Sequence, residues 1–243
     1  MTIKKWEKKE GTQHLYQYLQ IPEETKCICA VGSGGKTSLL YHLAGEYRAL
    51  GKRVLLCTTT KMFRPVLDYV SDEEPEKIRE RLYEKGFVVA GKTEESAEKQ
   101  IKREKFGPLE ADVWKRIYPE AQIVLVEADG SKGLPLKMPA DYEPVLPKEC
   151  EFMIAVSGLS GIGKPLKEIC HRSVLAEAVL AMDGDRTVTE QDVVRLLRAG
   201  YEKFLRNKKG CFYFNQADCV HLQQLEIIKT ALKNDSLFTG TFF

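Results

Sequence analysis

The stretch Cys27–Leu40, "CICAVGSGGKTSLL", decides the reading of this 243-residue chain. An apolar run ends at Gly32, Ser33, Gly34 and Gly35, and Lys36, Thr37 and Ser38 then open a segment with leucines at helical spacing. Such a turn is built to hold an anion. Glycines let backbone N–H groups face inward without a Cβ clash, and the start of a helix adds unpaired donors and partial positive charge. The spacing is that of G-x-x-x-x-G-K-[ST], with Ala30 at the first glycine position, where a small residue with negative φ fits a strand end. In this motif the lysine, Lys36, reaches the β- and γ-phosphates and the hydroxyl, on Thr37, ligates Mg²⁺. The dinucleotide fingerprint G-x-G-x-x-G is not met, because the spacing from Gly32 and Gly34 ends on Thr37. The expected ligands are GTP or ATP with Mg²⁺, cradled by Gly32, Ser33, Gly34, Gly35, Lys36, Thr37 and Ser38.

Outward from the loop, Leu39, Leu40, Leu43, Tyr47 and Leu50 keep one helical face and Gly51 stands where a helix ends. "RVLLCTTT" is the next strand, so the unit is βαβ and predicts a parallel sheet. The alternation continues through a helix at "EEPEKIRERLYEKG", strands at "FVVAG", "QIVLVEADG" and "EFMIAVSG", and helices at "HRSVLAEAVLAM" and "TEQDVVRLLRAGYEKFL", the latter with Thr189 as N-cap. "GCFYFNQAD" reads as a strand, "VHLQQLEIIKTAL" as a helix and "SLFTGTFF" as a last strand, while Lys92–Lys105 reads as a polar surface excursion. The expectation is one α/β domain over residues 1–243 with a helical leader at 1–25. Its architecture is a three-layer α/β/α sandwich with a mainly parallel sheet, of the P-loop NTPase type.

A phosphate loop needs an acidic partner on a neighbouring strand. "IVLVEADG" supplies Glu127 and Asp129, two apart at a strand's carboxyl end. One would hold Mg²⁺ and the other orient a nucleophile; the spacing does not say which, and "ADG" is also good turn chemistry. Thr58, Thr59, Thr60 and Lys61 end the second strand, where open parallel sheets bind ligands. They suit phosphate oxygens or an acidic substrate, although threonine is also simply a good strand residue. Near the C-terminus, "FNQAD" places Asn215 and Asp218 in the pattern N-K-x-D with Gln216 for the lysine. An aspartate there would accept the two N–H donors of guanine and penalise adenine. Asp218 would equally serve as N-cap of the helix that follows.

Composition narrows the partners. Lys+Arg of 37 against Asp+Glu of 35 leaves +2, which gives no reason to expect nucleic acid or an anionic membrane as partner. No apolar run is long enough to span a bilayer and the charged start lacks a signal-peptide segment, so a cytoplasmic protein is expected. The seven cysteines contain no CxxC, and the reading for most is small buried residues. Cys27 and Cys29 share one strand face, and with Cys57 they are where a thiol or metal role would lie. The four histidines show no ligand-type spacing.

Together "VGSGGKTSLLYHLA", "RVLLCTTTKMF", "VEADGSKGLPLKMPADYEPVLP", "GKPL", "HRSVLA" and "FNQAD" resemble the YqeC family, over about Cys27–Asp218. Its members are described as accessory proteins of selenium-dependent molybdenum hydroxylases. The resemblance implies a P-loop protein with a nucleotide-driven role in maturing a selenium- or molybdenum-containing cofactor, and a hydroxylase or cofactor carrier as partner. Its most distinctive block sets Lys137 and Glu143 six apart in a loop stiffened by Pro135, Pro139, Pro144 and Pro147. Such a loop could shape a pocket for an anionic substrate or be a stiff surface connection. Lys164 and Arg172 could neutralise charge on a substrate or at a phosphoryl-transfer transition state, and His171 reads as a surface or helix-start residue. Lys36, Glu127, Asp129, Lys164 and Arg172 are thus the catalytic candidates, and Thr58–Lys61, Lys137 and Glu143 the substrate candidates. An NTP hydrolase acting as maturation factor, a kinase of an acidic small molecule, and a nucleotide-binding scaffold in which neither Glu127 nor Asp129 supports hydrolysis all fit these residues.

Overall fold

A computed structural model describes residues 5–7, 13–94, 104–232 and 237–241. Strand β1 (Lys5–Glu7) precedes the one-turn helix α1 (Leu15–Tyr18). The expected βαβ unit follows as β2 (Cys27–Gly32), α2 (Lys36–Ala49) and β3 (Val54–Thr58). Short strands β4 (Met62–Phe63) and β5 (Tyr69–Ser71) lead to α3 (Pro75–Lys85) and β6 (Phe87–Thr93). Next come β7 (Lys105–Gly107), α4 (Ala111–Ile117), β8 (Ile123–Glu127) and β9 (Leu136–Lys137). Strand β10 (Phe152–Gly158) runs into a 3-10 turn at Leu159–Gly161, followed by α5 (Leu166–Ile169), β11 (Cys170–His171) and α6 (Ser173–Leu180). The chain closes with α7 (Glu190–Leu205), β12 (Lys209–Asn215), a 3-10 turn at Ala217–Cys219, α8 (Leu222–Ala231) and β13 (Leu237–Thr241).

Eleven strands form one sheet in the order β1-β13-β12-β10-β2-β8-β3-β6-β7-β4, with β5 also on β6. All pairings from β1 to β6 are parallel, and β7 alone runs against the others, pairing antiparallel with both β6 and β4 at one edge. The side-chain period of two splits the core. Cys27, Cys29 and Val31 face one apolar layer with Ile78, Ile117, Ala176, Val193 and Leu225, so that α3, α4, α6, α7 and α8 lie on that face. Ile28 and Ala30 face the other with Leu15, Leu39 and Leu43, so that α1 and α2 cover it. This is the three-layer, mainly parallel α/β sandwich of P-loop type that the sequence predicts. Six of the seven cysteines are buried, and Cys219 is exposed.

Register brings five strand ends to one edge. Gly32 pairs with Val156, Gly158 with Asn215, and Glu127 with both Ala30 and Thr58. Strand β2 continues through α2 towards β3, whereas its neighbour β10 continues towards β12 on the other side. Parallel sheets open a crevice where adjacent connections diverge in this way.

Three local expectations are corrected. The polar excursion begins and ends in structure: Lys92 and Thr93 pair with Gly107 and Phe106, because Phe106 is fully buried and anchors β7. The remainder, 95–103, lies outside the described residues. The helix after "FNQAD" is capped by His221, not Asp218, which sits in the preceding 3-10 turn. The leader contributes β1 beside β13 as well as α1. No helix among the described residues is long and apolar enough to cross a membrane.

Candidate functional site

The glycine loop is held by the strands around it. Ala30 stays inside β2 and has none of the positive φ that would demand glycine. Gly34 has φ +79°, and a Cβ there would lie 2.3 Å from Gly158 N. Gly35 has φ +120°, and its Cβ would lie 2.1 Å from Asn215 Nδ2. Backbone from β10 and a side chain from β12 therefore occupy the space where side chains of the loop would stand. Ser33 N donates to Val156 O at 2.9 Å and Asn215 Nδ2 to Gly34 O at 2.8 Å, while Ser33 Oγ donates to the Leu134 carbonyl. The N–H groups of Gly34, Gly35, Lys36, Thr37 and Ser38 have no protein acceptor among the described residues, the last three because they open α2. Five consecutive free donors at a helix start fit a phosphate group.

The two carboxylates after β8 take different places. Glu127 Oε2 accepts from Thr37 Oγ1 at 2.6 Å, with Lys36 Nζ 4.0 Å from its other oxygen. Burial raises the pKa of Glu127 above the ordinary carboxylate value, and Asp129 adds to this against the opposing Lys36 and Thr37. Asp129, fully buried, turns into the fold. Its Oδ2 accepts from Gly32 N at 3.0 Å and Tyr201 Oη at 2.7 Å, and lies 3.4 Å from Lys137 Nζ. Its Oδ1 lies 3.3 Å from Lys36 Nζ, an ion pair at an angle that makes no hydrogen bond. Lys36, 2% exposed, also donates to Gly32 O at 2.6 Å and Ser131 Oγ at 3.2 Å. Thr37 and Glu127 thus form a hydroxyl–carboxylate pair suited to Mg²⁺, while Asp129 is ringed by protein donors.

Beyond Asp129 the proline-rich loop folds back over the site. Lys137 is buried, donates to Gly130 O at 2.6 Å and lies 3.1 Å from Glu143 Oε1. Arg172 grips Glu143 in bidentate fashion, at 3.2 Å and 3.0 Å, and reaches Tyr142 Oη at 2.9 Å. Burial opposes ionisation of Glu143, but Arg172, the Ala140 N–H and Lys137 together hold it below the usual carboxylate range. His171 pairs with Lys137 in the small β9–β11 ladder. Burial, then Lys137, Arg172 and Lys132, push its imidazole below its ordinary value. Lys132, Arg172 and Gln216 all hold left-handed backbone at non-glycine residues, a costly conformation that accumulates at functional sites.

The other candidates divide. Thr58 Oγ1 donates to Glu127 O at 2.8 Å, so it fixes β8 rather than facing a ligand. Thr60 N donates to Thr58 Oγ1 at 3.1 Å, whereas the buried Thr59 hydroxyl finds no partner among the described residues. Lys61 is exposed and pairs with Glu94 at 2.5 Å, and Lys164 is exposed, so neither joins the cluster. Asn215 props the loop and leaves its buried Oδ1 without a hydrogen bond among the described residues. Gln216 accepts from Ser160 Oγ at 2.7 Å, and Asp218 is exposed beyond it. Sequence reasoning missed Ser131, Tyr201 and Tyr142. The one signal was a tyrosine on the apolar face of α7, since a buried phenol needs a partner.

Strand order, free donors and the Thr37–Glu127 pair define an α/β protein with a P-loop type of fold and a cradle of N–H donors at the carboxyl ends of its central strands. The family model of the YqeC protein matches residues 28–174, more than half of the chain. The protein of Escherichia coli (strain K12) named "Uncharacterized protein YqeC" is 35% identical over 187 residues, covering 76% of this chain and 72% of that protein. The chain belongs to the YqeC family.

Proposed function

We propose that the chain is a Mg²⁺-dependent nucleotide-binding protein that hydrolyses GTP or ATP as an accessory factor in maturing the cofactor of a selenium- or molybdenum-dependent hydroxylase. One observation carries the nucleotide part: five free N–H donors, Gly34–Ser38, stand beside the Lys36 ammonium and the Thr37–Glu127 pair. Thr37 and Glu127 would hold Mg²⁺, which offsets charge between phosphates when bound. Lys36 would take phosphate oxygens in place of its present carboxylate neighbour. Asp129 keeps the Gly32 N–H and so fixes the turn. The accessory role, in the cytoplasm and with a hydroxylase or its cofactor carrier as partner, is what likeness to the family implies.

A kinase of an acidic small molecule would need free cations for its acceptor. Lys61 is taken by Glu94, Lys137 and Arg172 share Glu143, and Lys164 is exposed outside the cluster rather than beside the phosphate loop. The paired cations favour hydrolysis with a loop response over phosphoryl transfer to a small anion.

Calorimetric titration of GTP and ATP, each with Mg²⁺, into the wild type and Asp218→Asn tests this. Saturable binding of either nucleotide supports it, and a GTP preference lost in Asp218→Asn assigns guanine to Asn215–Asp218. Absence of binding by the wild type overturns the proposal.

A further inference from the structure

Behind the phosphate loop, buried charges alternate in one unbroken series. Lys36 Nζ lies 3.3 Å from Asp129, Asp129 lies 3.4 Å from Lys137, and Lys137 lies 3.1 Å from Glu143. Glu143 ends the series on Arg172, at 3.0 Å. The interior three, Asp129, Lys137 and Glu143, are at most 7% exposed, so each depends on its neighbours for compensation. Only the ends can change partners. Arg172 reaches the surface beside the exposed Tyr142 ring, with its charge centre 5.5 Å from the ring centroid. At the other end Lys36 belongs both to Asp129 and to the donor cradle.

We propose that Lys137, Glu143 and Arg172 are positioning residues for the phosphate loop, acting through Asp129 to set how readily Lys36 turns from Asp129 to a phosphate. The inference rests on the nucleotide-binding reading above and adds its regulation. The sign follows from sharing. With Arg172 in place, Glu143 divides its charge between two cations, and Lys137 is left to neutralise Asp129. Without Arg172, Glu143 draws more fully on Lys137, Asp129 loses its compensation, and it holds Lys36 more firmly. Nucleotide affinity then falls. Without the Glu143 charge, Lys137 serves Asp129 alone, Lys36 is freed, and affinity rises. Two residues that touch each other, and neither of which lines the cradle, therefore act in opposite directions. A merely structural pair would weaken binding in both cases.

The test is calorimetric titration of Mg·ATP and Mg·GTP into the full chain and into Glu143→Gln, Arg172→Ala and the double variant, with Lys36→Ala as reference. For the nucleotide that the wild type binds, Glu143→Gln is expected to lower Kd and Arg172→Ala to raise it, each by about threefold or more. The double variant should match Glu143→Gln, because Arg172 acts only through that carboxylate. If Arg172→Ala fails to fold, Arg172→Lys keeps the charge without the bidentate grip and should shift Kd in the same direction. Unchanged affinities, shifts of one sign, or a double variant equal to the sum of the singles would overturn the relay. In each of those cases binding that is abolished by Lys36→Ala leaves the nucleotide reading standing. A wild type that binds neither nucleotide overturns both.

Discussion

Lys36 is a charged residue kept almost wholly from water, and the residues around it explain how that is tolerated. Two carboxylates, a carbonyl and a hydroxyl meet its ammonium. Replacing it with alanine leaves Asp129 with Lys137, the Gly32 N–H and the Tyr201 hydroxyl. The Lys36→Ala protein should therefore fold, as read by circular dichroism, yet show no calorimetric binding of Mg·ATP or Mg·GTP. Tyr201→Phe removes a donor from a buried carboxylate and should cost about 1.5–3 kcal/mol in urea unfolding. The same phenol gives a pH dependence. Burial first, and then Asp129, hold Tyr201 well above its ordinary 10.0. The unfolded chain ionises sooner, so this contribution is complete below pH 10.0 and lost as pH rises beyond it. Glu143 has the opposite sign: its value lies below the ordinary 4.5, so its contribution is present above 4.5 and disappears as pH falls through its folded value. Denaturation midpoints across pH should show both limbs, with the alkaline one reduced in Tyr201→Phe. At this scale the sequence shows Lys36, Thr37, Glu127 and Asp129 because motif spacing is local. The split between the two carboxylates was not legible, since it depends on Tyr201, 72 residues away along the chain.

Helix and strand boundaries followed their chemical signals where those signals were local. Helix α7 begins at the predicted Thr189, whose hydroxyl accepts from Asp192 N while Asp192 accepts from Thr189 N. Thr189→Ala should thus lower stability by about 1 kcal/mol, measured by chemical denaturation. Gly34→Ala should do more than its size suggests. Its Cβ would meet Gly158 backbone in a conformation that alanine resists, and loss of nucleotide binding is the expected readout. Elements of two or three residues, such as β4, β5, β7, β9 and β11, carry too little periodicity to be read along the chain. They exist through pairing partners elsewhere, as β9 does through β11. Helix α4, at "ADVWKRI", was missed although its buried Ile117 joins the core. Asp218 misled as a cap because the backbone makes a 3-10 turn first, and His221 then takes the place.

Across the whole molecule, the cradle draws on β2, β8, β10 and β12, so a bound ligand would tie together distant parts of the chain. Mg·nucleotide at about 100 times its Kd should add roughly 2.7 kcal/mol to stability. The corresponding rise in melting temperature should vanish in Lys36→Ala. The layered fold and strand alternation were legible because buried parallel strands leave apolar runs between turn signals. Strand order was not, since nothing local tells β8 to insert between β2 and β3. That order also bears on where the chain can be divided. The family match ends at residue 174, yet β12 pairs with β10 along all seven of its residues, from Phe152 to Gly158. A fragment stopped at 174 would carry the signature sequence with a naked hydrophobic strand edge, a template for self-association. It would also lack the tyrosine that secures Asp129 and the asparagine that supports Gly34. Light scattering should find that fragment aggregated and the full chain dispersed, the expected outcome if the most recognisable part of the sequence does not fold independently.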